Sequence, residues 1–388
     1  MSPKLNCSWK ITGGQVLRED RVETGELCLA QGVIAAHADA SRQFDATGLL
    51  VLPGIVDIHG DAHERARQPR PNVDFPAGFA LRDAAAQCLA AGITTSYLGV
   101  TLSWEPGLRS LPGFLAMLQA LDAPPPGPDL RVHLRFEADN FAAEPAALSA
   151  IAAGKVHLLG FNDHTPGIIR KLGSAADIGK YAGRAGVSGA EMVVLAQAAF
   201  SRRAEVPALR QRLSQAARTA GIPILSHDDA TLADRALFRA LGAGICEFPM
   251  AENVAEDARA SGEAVVMGAP NVVRGGSHLG WASAAPLAER GLVTVLASDY
   301  HWPALLAAPF RMAARGVLDL PASWALVSCN PADALGLHDR GRIVEGRRGD
   351  LALTSPEGAL AACFVAGELA WLAPGGAGRI ATAHSGPG

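Results

Sequence analysis

The chain of 388 residues has six cysteines, and none of them (Cys7, Cys28, Cys88, Cys246, Cys329, Cys363) forms a Cys-X-X-Cys pair or sits at zinc-finger spacing. That scatter excludes a disulfide framework and a cysteine-built metal knot, so free thiols in a reducing, cytoplasmic setting are expected. Aromatic residues make up 5% and charged residues 19%, against 49% hydrophobic, a balance too apolar for a disordered chain. No apolar run approaches the roughly 20 residues needed to cross a bilayer. The opening MSPKLNCSWK lacks the apolar core of a signal peptide. A formal charge of −4 leaves no broad basic surface, so neither nucleic acid nor an anionic membrane is an expected partner. The sequence has no Gly-Lys-Ser/Thr phosphate loop, no Gly-X-Ser-X-Gly elbow and no repeat of fixed period, which removes P-loop nucleotidases, serine hydrolases of that type and solenoids.

What remains is organised around VLPGIVDIHGDAHERARQPR, residues 51–70. Ile55 to Ile58 reads as a short buried strand entered through Pro53-Gly54 and left through Gly60. Side chains alternate along an extended chain, so His59 and Asp61 point the same way with only a glycine between them. Residues 1–52 alternate short apolar runs with Gly, Asp and Asn breaks, and the same style returns at 337–373. The two ends are therefore expected to close into one small β-sandwich domain, with residues 374–388 as a frayed tail.

Between 53 and 336 strand-like runs alternate with helical stretches, the pattern of parallel α/β architecture. Strands are predicted at 55–59, 94–100, 130–137, 156–162, 223–227, 245–248, 265–268 and 293–298. Eight is the number that closes a (β/α)8 TIM-like barrel. In such a barrel the chemistry gathers at the carboxyl ends of the strands. Those ends carry His59 and Asp61, then Glu137, His164, His227 and Asp299. Imidazole nitrogen with carboxylate oxygen suits zinc first, with manganese or iron also fitting. Six such ligands exceed what one tetrahedral ion takes, so two ions bridged by a carboxylate are expected, with Glu137 as the bridge. Asp299, on the last strand, is placed to act as proton acceptor as well as ligand. Glu247 in ICEFP reads as structural, and Asp228 and Asp229 as partners of His227 or of arginines.

The layout resembles the amidohydrolase superfamily, in the His-X-Asp motif, the later His, His and Asp positions, and the closing Asn330-Pro331-Ala332 and Gly341 to Leu351 segments. Within it the chain is similar to the diphosphatases of phosphonate metabolism that act on a ribose 5-triphosphate bearing a 1-methylphosphonate. The stretches that carry this are PRPNVDFP (69–76), HLRFE (133–137), DHTPG (163–167), SHDDAT (226–231), EFP (247–249), MGAPNVVRGGSHLG (267–280) and SDYHWPALL (298–306). The departure lies at HGDAHER, where Gly60 and His63 alter the pocket beside the first ligands. The resemblance implies cleavage between the α and β phosphates with release of pyrophosphate, so the expected partner is a small phosphorylated molecule. The alternative is an amidohydrolase or deaminase acting on a C–N bond of a small metabolite. A triphosphate needs cationic or amide donors. Arg274 and Arg135 are the first candidates, with Gly275, Gly276 and His278 presenting amides or a ring to the anion. Homo-oligomers are common on such folds, and nothing here sets a subunit number.

Overall fold

The structure is a computed structural model that describes residues 8–37, 39–71, 73–276 and 283–382. Five strands open the chain, β1 (Trp9–Arg18), β2 (Arg21–Ala30), β3 (Val33–Ala35), β4 (Arg42–Asp45) and β5 (Leu50–Pro53). Eight follow at the positions predicted for the barrel. They are β6 (Ile55–Gly60), β7 (Ile93–Leu102), β8 (Asp129–Glu137), β9 (Leu158–Asn162), β10 (Ile224–His227), β11 (Ile245–Glu247), β12 (Ala264–Gly268) and β13 (Val295–Ala297). Four close the chain, β14 (Leu351–Thr354), β15 (Leu360–Val365), β16 (Glu368–Leu372) and β17 (Ile380–Thr382).

The first and last groups share one mixed nine-stranded sheet, joined where β5 pairs antiparallel with β14. The sheet runs on into the segment expected to fray, because β17 pairs with β4. Its own core is built on Trp9, Leu29, Phe44 and Phe364, with Trp9 edge-on to Phe364 at 5.4 Å between ring centroids. Since β5 ends at Pro53 and β6 begins at Ile55, the sheet feeds straight into the barrel.

Strands β6 to β13 pair in parallel and in chain order. Val56, Ile58, Tyr97, Leu158, Leu225, Ile245, Val266, Val295 and Ala297 form one buried cluster, and the opposite faces pack against helices around Leu81, Phe114, Leu213 and Trp302. The stretch 188–219, expected as one helix, is two, Gly189–Phe200 and Val206–Thr219. A 3-10 turn, Arg203–Glu205, separates them, and Pro207 sits in the first turn of the second, where a missing N–H costs no helical bond. Among the described residues no helix is long and apolar enough to cross a membrane, and the five described cysteines are free.

The barrel closes between β13 and β6 through a single parallel bridge, Gly60 with Asp299. Asp299 N–H donates to His59 O, and Asp61 N–H to Asp299 O, both at 2.9 Å. Just below, Asp57 spans the seam, accepting from Ser298 N–H (3.0 Å), Ser298 Oγ (2.6 Å), and His59 N–H (3.3 Å). Burial raises the Asp57 carboxyl from 3.8 to about 6. Its contribution to stability is thus greatest below its free value and is lost as pH rises through about 6. Asp57→Ala strands these donors at the seam and is expected to cost about 2–4 kcal/mol, read as a fall in the denaturant midpoint. That loss should shrink between pH 4 and pH 7 as the ionised carboxylate becomes costly in the parent protein.

Candidate metal centre

The seam places three of the predicted residues together: His59, Asp61 and Asp299 bring one donor atom each to within 4.8 Å of one another. A second group of the same kind joins His59 to His133 and Glu247, and a third joins His164, His227 and Asp228. The groups touch: the His59 ring lies 5.1 Å from His133 and 6.1 Å from His227, and His227 lies 5.7 Å from His164, between centroids.

Backbone geometry at the strand ends aims these side chains. Asp228 and Phe248, each directly following a strand, and Asp299, two residues past β13, have φ of 59°, 52° and 55°. Left-handed backbone costs a non-glycine residue about 1–3 kcal/mol. It persists here because each N–H stays bonded to the neighbouring strand or its continuation: Asp228 to Glu247 O, Phe248 to Val266 O, Asp299 to His59 O. The turn out of the ladder carries the Asp228 and Asp299 carboxylates over the barrel mouth.

Space inside the ring is made by missing side chains. A Cβ on Gly160 would lie 2.5 Å from His133 Nε2, and one on Gly99 would crowd Arg135 Cδ and the His59 ring at 3.1–3.3 Å. Within this space several buried polar atoms have no partner: His59 Nε2, both ring nitrogens of His133, and Glu247 Oε2. Unpaired buried donors and acceptors cost about 1–3 kcal/mol each, so three residues assembling four of them point to something that binds there. Burial lowers the pKa of His59 and of His133, which keeps both rings neutral with a lone pair to give. His59 Nδ1–H donates to Glu247 Oε1 at 2.8 Å. The donor set therefore fits a divalent metal ion.

Glu247, read from the sequence as structural, lies inside the group with His59 and His133. It is fully buried at the centre, between His59 and His227 (Nε2 to Oε2 3.8 Å), and burial raises it from 4.5 to about 7. Glu137, expected as the bridge, is spent elsewhere. Its Oε1 accepts from His164 N–H, Thr165 N–H and Thr165 Oγ, and its Oε2 pairs with His164 Nδ1 at 3.0 Å. Burial alone would raise Glu137, but the His164 imidazole and the donated N–H groups outweigh it and hold the carboxyl at about 2. It caps the helix Thr165–Lys171 and orients His164, grouping with Asp139 and Asp163 and not with His59. Asp228 pairs with His227 Nδ1 at 3.1 Å, while Asp229 accepts from Ser226 Oγ and Arg235. His63 is buried against Gly60 O.

The phosphate candidates separate. Arg135 is only 6% exposed and lies inside the cluster, donating to Asp61 Oδ2 (3.3 Å) and His227 Nε2 (3.2 Å). Arg274 is exposed at the end of the helix Ala269–Arg274. The N–H groups of Gly275 and Gly276 both donate to Asn271 O, closing that helix, so neither is free to meet an anion. His278 lies outside the described residues. His133 went unnoticed in the sequence, although strand alternation puts His133, Arg135 and Glu137 on one face of HLRFE.

Known structures share this architecture. The chain superposes on a triazine hydrolase variant with a TM-score of 0.64 and on molinate hydrolase with 0.62, at 15% identity and with 94% of each chain covered in both cases. The fold, the candidate metal site and the match to a curated relative together place the chain among hydrolases of the amidohydrolase superfamily. More particularly, the chain belongs to the family of alpha-D-ribose 1-methylphosphonate 5-triphosphate diphosphatase of Escherichia coli (strain K12), to which it is 35% identical over 356 residues, 88% of this chain and 94% of that enzyme. A shorter match, 35% over 77 residues and 19% of the chain, links it to dihydroorotase of Shouchella clausii (strain KSM-K16), 18% of whose length is covered. No family model matches the chain.

Proposed function

We propose that this chain hydrolyses α-D-ribose 1-methylphosphonate 5-triphosphate between its α and β phosphates, releasing pyrophosphate. The observation that carries the reading is 35% identity to the Escherichia coli diphosphatase sustained over 88% of this chain and 94% of that enzyme. His59, His133 and Glu247 would hold a divalent ion, with zinc, manganese or iron suited to their nitrogen and oxygen donors. The second of the two ions expected from sequence would have to share Asp61 and His227 with Arg135, which already bonds both. When bound, the metal supplies Lewis-acid stabilisation of phosphoryl oxygens and makes water a better nucleophile.

The remaining work belongs to the chain. Asp299, raised by burial and by neighbouring Asp61 from 3.8 to about 7, takes the proton of the attacking water at its carboxylate and passes it towards the leaving group. Arg135 brings a permanent charge to the phosphate oxygens, and Arg274 serves the outer phosphates from the rim. Glu137 holds His164 in place. The free thiols support a cytoplasmic location.

The test is to incubate purified chain, supplied with zinc or manganese, with the triphosphate and separately with a dihydroorotate-type cyclic amide. Release of pyrophosphate together with ribose 1-methylphosphonate 5-phosphate is the expected result. Ring opening without pyrophosphate would sink the reading and favour the C–N hydrolase to which the short dihydroorotase match points.

A further inference from the structure

One charged group sits where the expected ligand set leaves no room for it. The Arg135 side chain enters the barrel over Gly99, packed beside His59, and its guanidinium lies between Asp61 and His227. His227 donates Nδ1–H to Asp228, so the ring's lone pair is on Nε2, and that lone pair accepts from Arg135 Nη2. An ion bound by His227 Nε2 needs the same lone pair. Asp61 Oδ2 is claimed in the same way by Arg135 Nη1. Arginine does not give up its proton in proteins, so deprotonation never frees these two acceptors. The other half of the centre is the opposite case: His59 Nε2, the two His133 nitrogens and Glu247 Oε2 are buried and have no hydrogen-bond partner.

We propose that Arg135 is the resident cation of the Asp61–His227 half, so that the chain binds one divalent ion, at His59, His133 and Glu247, and the guanidinium takes the place of a second. The inference rests on the metal-centre reading above and deepens it. A fixed guanidinium neutralises Asp61 as an ion would, keeps Asp61 oriented at the seam, and offers its remaining N–H groups to an anionic substrate. It also answers how a cluster of four histidines (His59, His133, His164, His227) and four carboxylates (Asp61, Asp228, Glu247, Asp299) stays together.

The experiment is a metal count that needs no substrate. Wild-type chain is loaded with zinc, desalted and measured by elemental analysis, and binding is followed by calorimetry with zinc as the probe. Arg135→Met and Arg135→Lys are treated alike, with thermal unfolding of each as a check on folding. The expected result is one ion per chain in wild type and in Arg135→Lys, and a second site in Arg135→Met that binds at least tenfold more tightly than any second site in wild type. Two equally tight ions in wild type overturn the proposal whether or not a variant folds, as does a count unchanged by Arg135→Met. Substrate identity does not enter: a chain that shows this count but releases no pyrophosphate keeps the inference and loses the proposed reaction.

Discussion

Asp299→Asn is expected to lower kcat by about two to four orders of magnitude, the range associated with removing a positioned general base, while the protein still folds and still binds metal. Folding should survive because the backbone at this position is left-handed, with φ of 55°, and asparagine tolerates that region nearly as well as aspartate. The seam bonds are made by the backbone of residue 299 with His59 and Asp61, so they remain. What disappears is the proton acceptor. Burial and the neighbouring Asp61 charge raise the Asp299 carboxyl from 3.8 to about 7. Protonation then silences the base at low pH, and kcat/KM should rise with pH to a plateau. A cation bound nearby favours the carboxylate, so the limb should fall below 7 in the loaded enzyme. Steady-state pyrophosphate release measured from pH 5 to 9 checks both points. A variant with full activity, or with an unchanged acid limb, would remove Asp299 from proton transfer.

The barrel was legible because its strands are short apolar runs punctuated by Gly and Pro, and all eight fall within a few residues of where the pattern puts them. The site was legible only in part, and the reasons differ by residue. His59 and Asp61 could be read as neighbours in direction because a single glycine separates them. Their meeting with Asp299 could not, since it depends on the barrel closing through one bridge between Gly60 and Asp299. Glu247 satisfies the same strand-end rule as the others, although the sequence reading takes it as structural. His133 was two residues from Arg135 and four from Glu137 on one strand, and alternation alone would have named it. Glu137 is a different matter. Which groups a strand-end carboxylate meets depends on how the loop after the next strand turns, and here residues 163–165 start a helix directly over it. Pattern does not carry that information. Nor does it show that the amides after Arg274 are consumed by Asn271.

Glu247→Gln is the substitution with the largest expected effect on the centre itself, and its two consequences have opposite signs. In the metal-free protein the parent carboxylate is fully buried, and burial holds it up at about 7 against 4.5. At pH 8 the ionised form must be kept in that environment, which is the unfavourable side of the linkage: the relative stability present below 4.5 is lost as pH rises through about 7. Neutral glutamine removes that cost and, through its carbonyl, can still accept the His59 Nδ1–H. Metal-free Glu247→Gln should therefore be at least as stable as the parent at pH 8, by up to about 3 kcal/mol. With metal the order reverses. The ion loses the only charged donor in the group with His59 and His133, and affinity should fall by at least the roughly 10- to 100-fold seen when mere supporting partners of ligands are removed. Turnover should fall with it. Paired thermal unfolding at pH 8, with chelator and with excess zinc, separates the two effects. A carboxylate that is only structural would make the variant less stable under both conditions and leave zinc affinity unchanged. A ligand gives a variant that unfolds later with chelator and gains little from zinc.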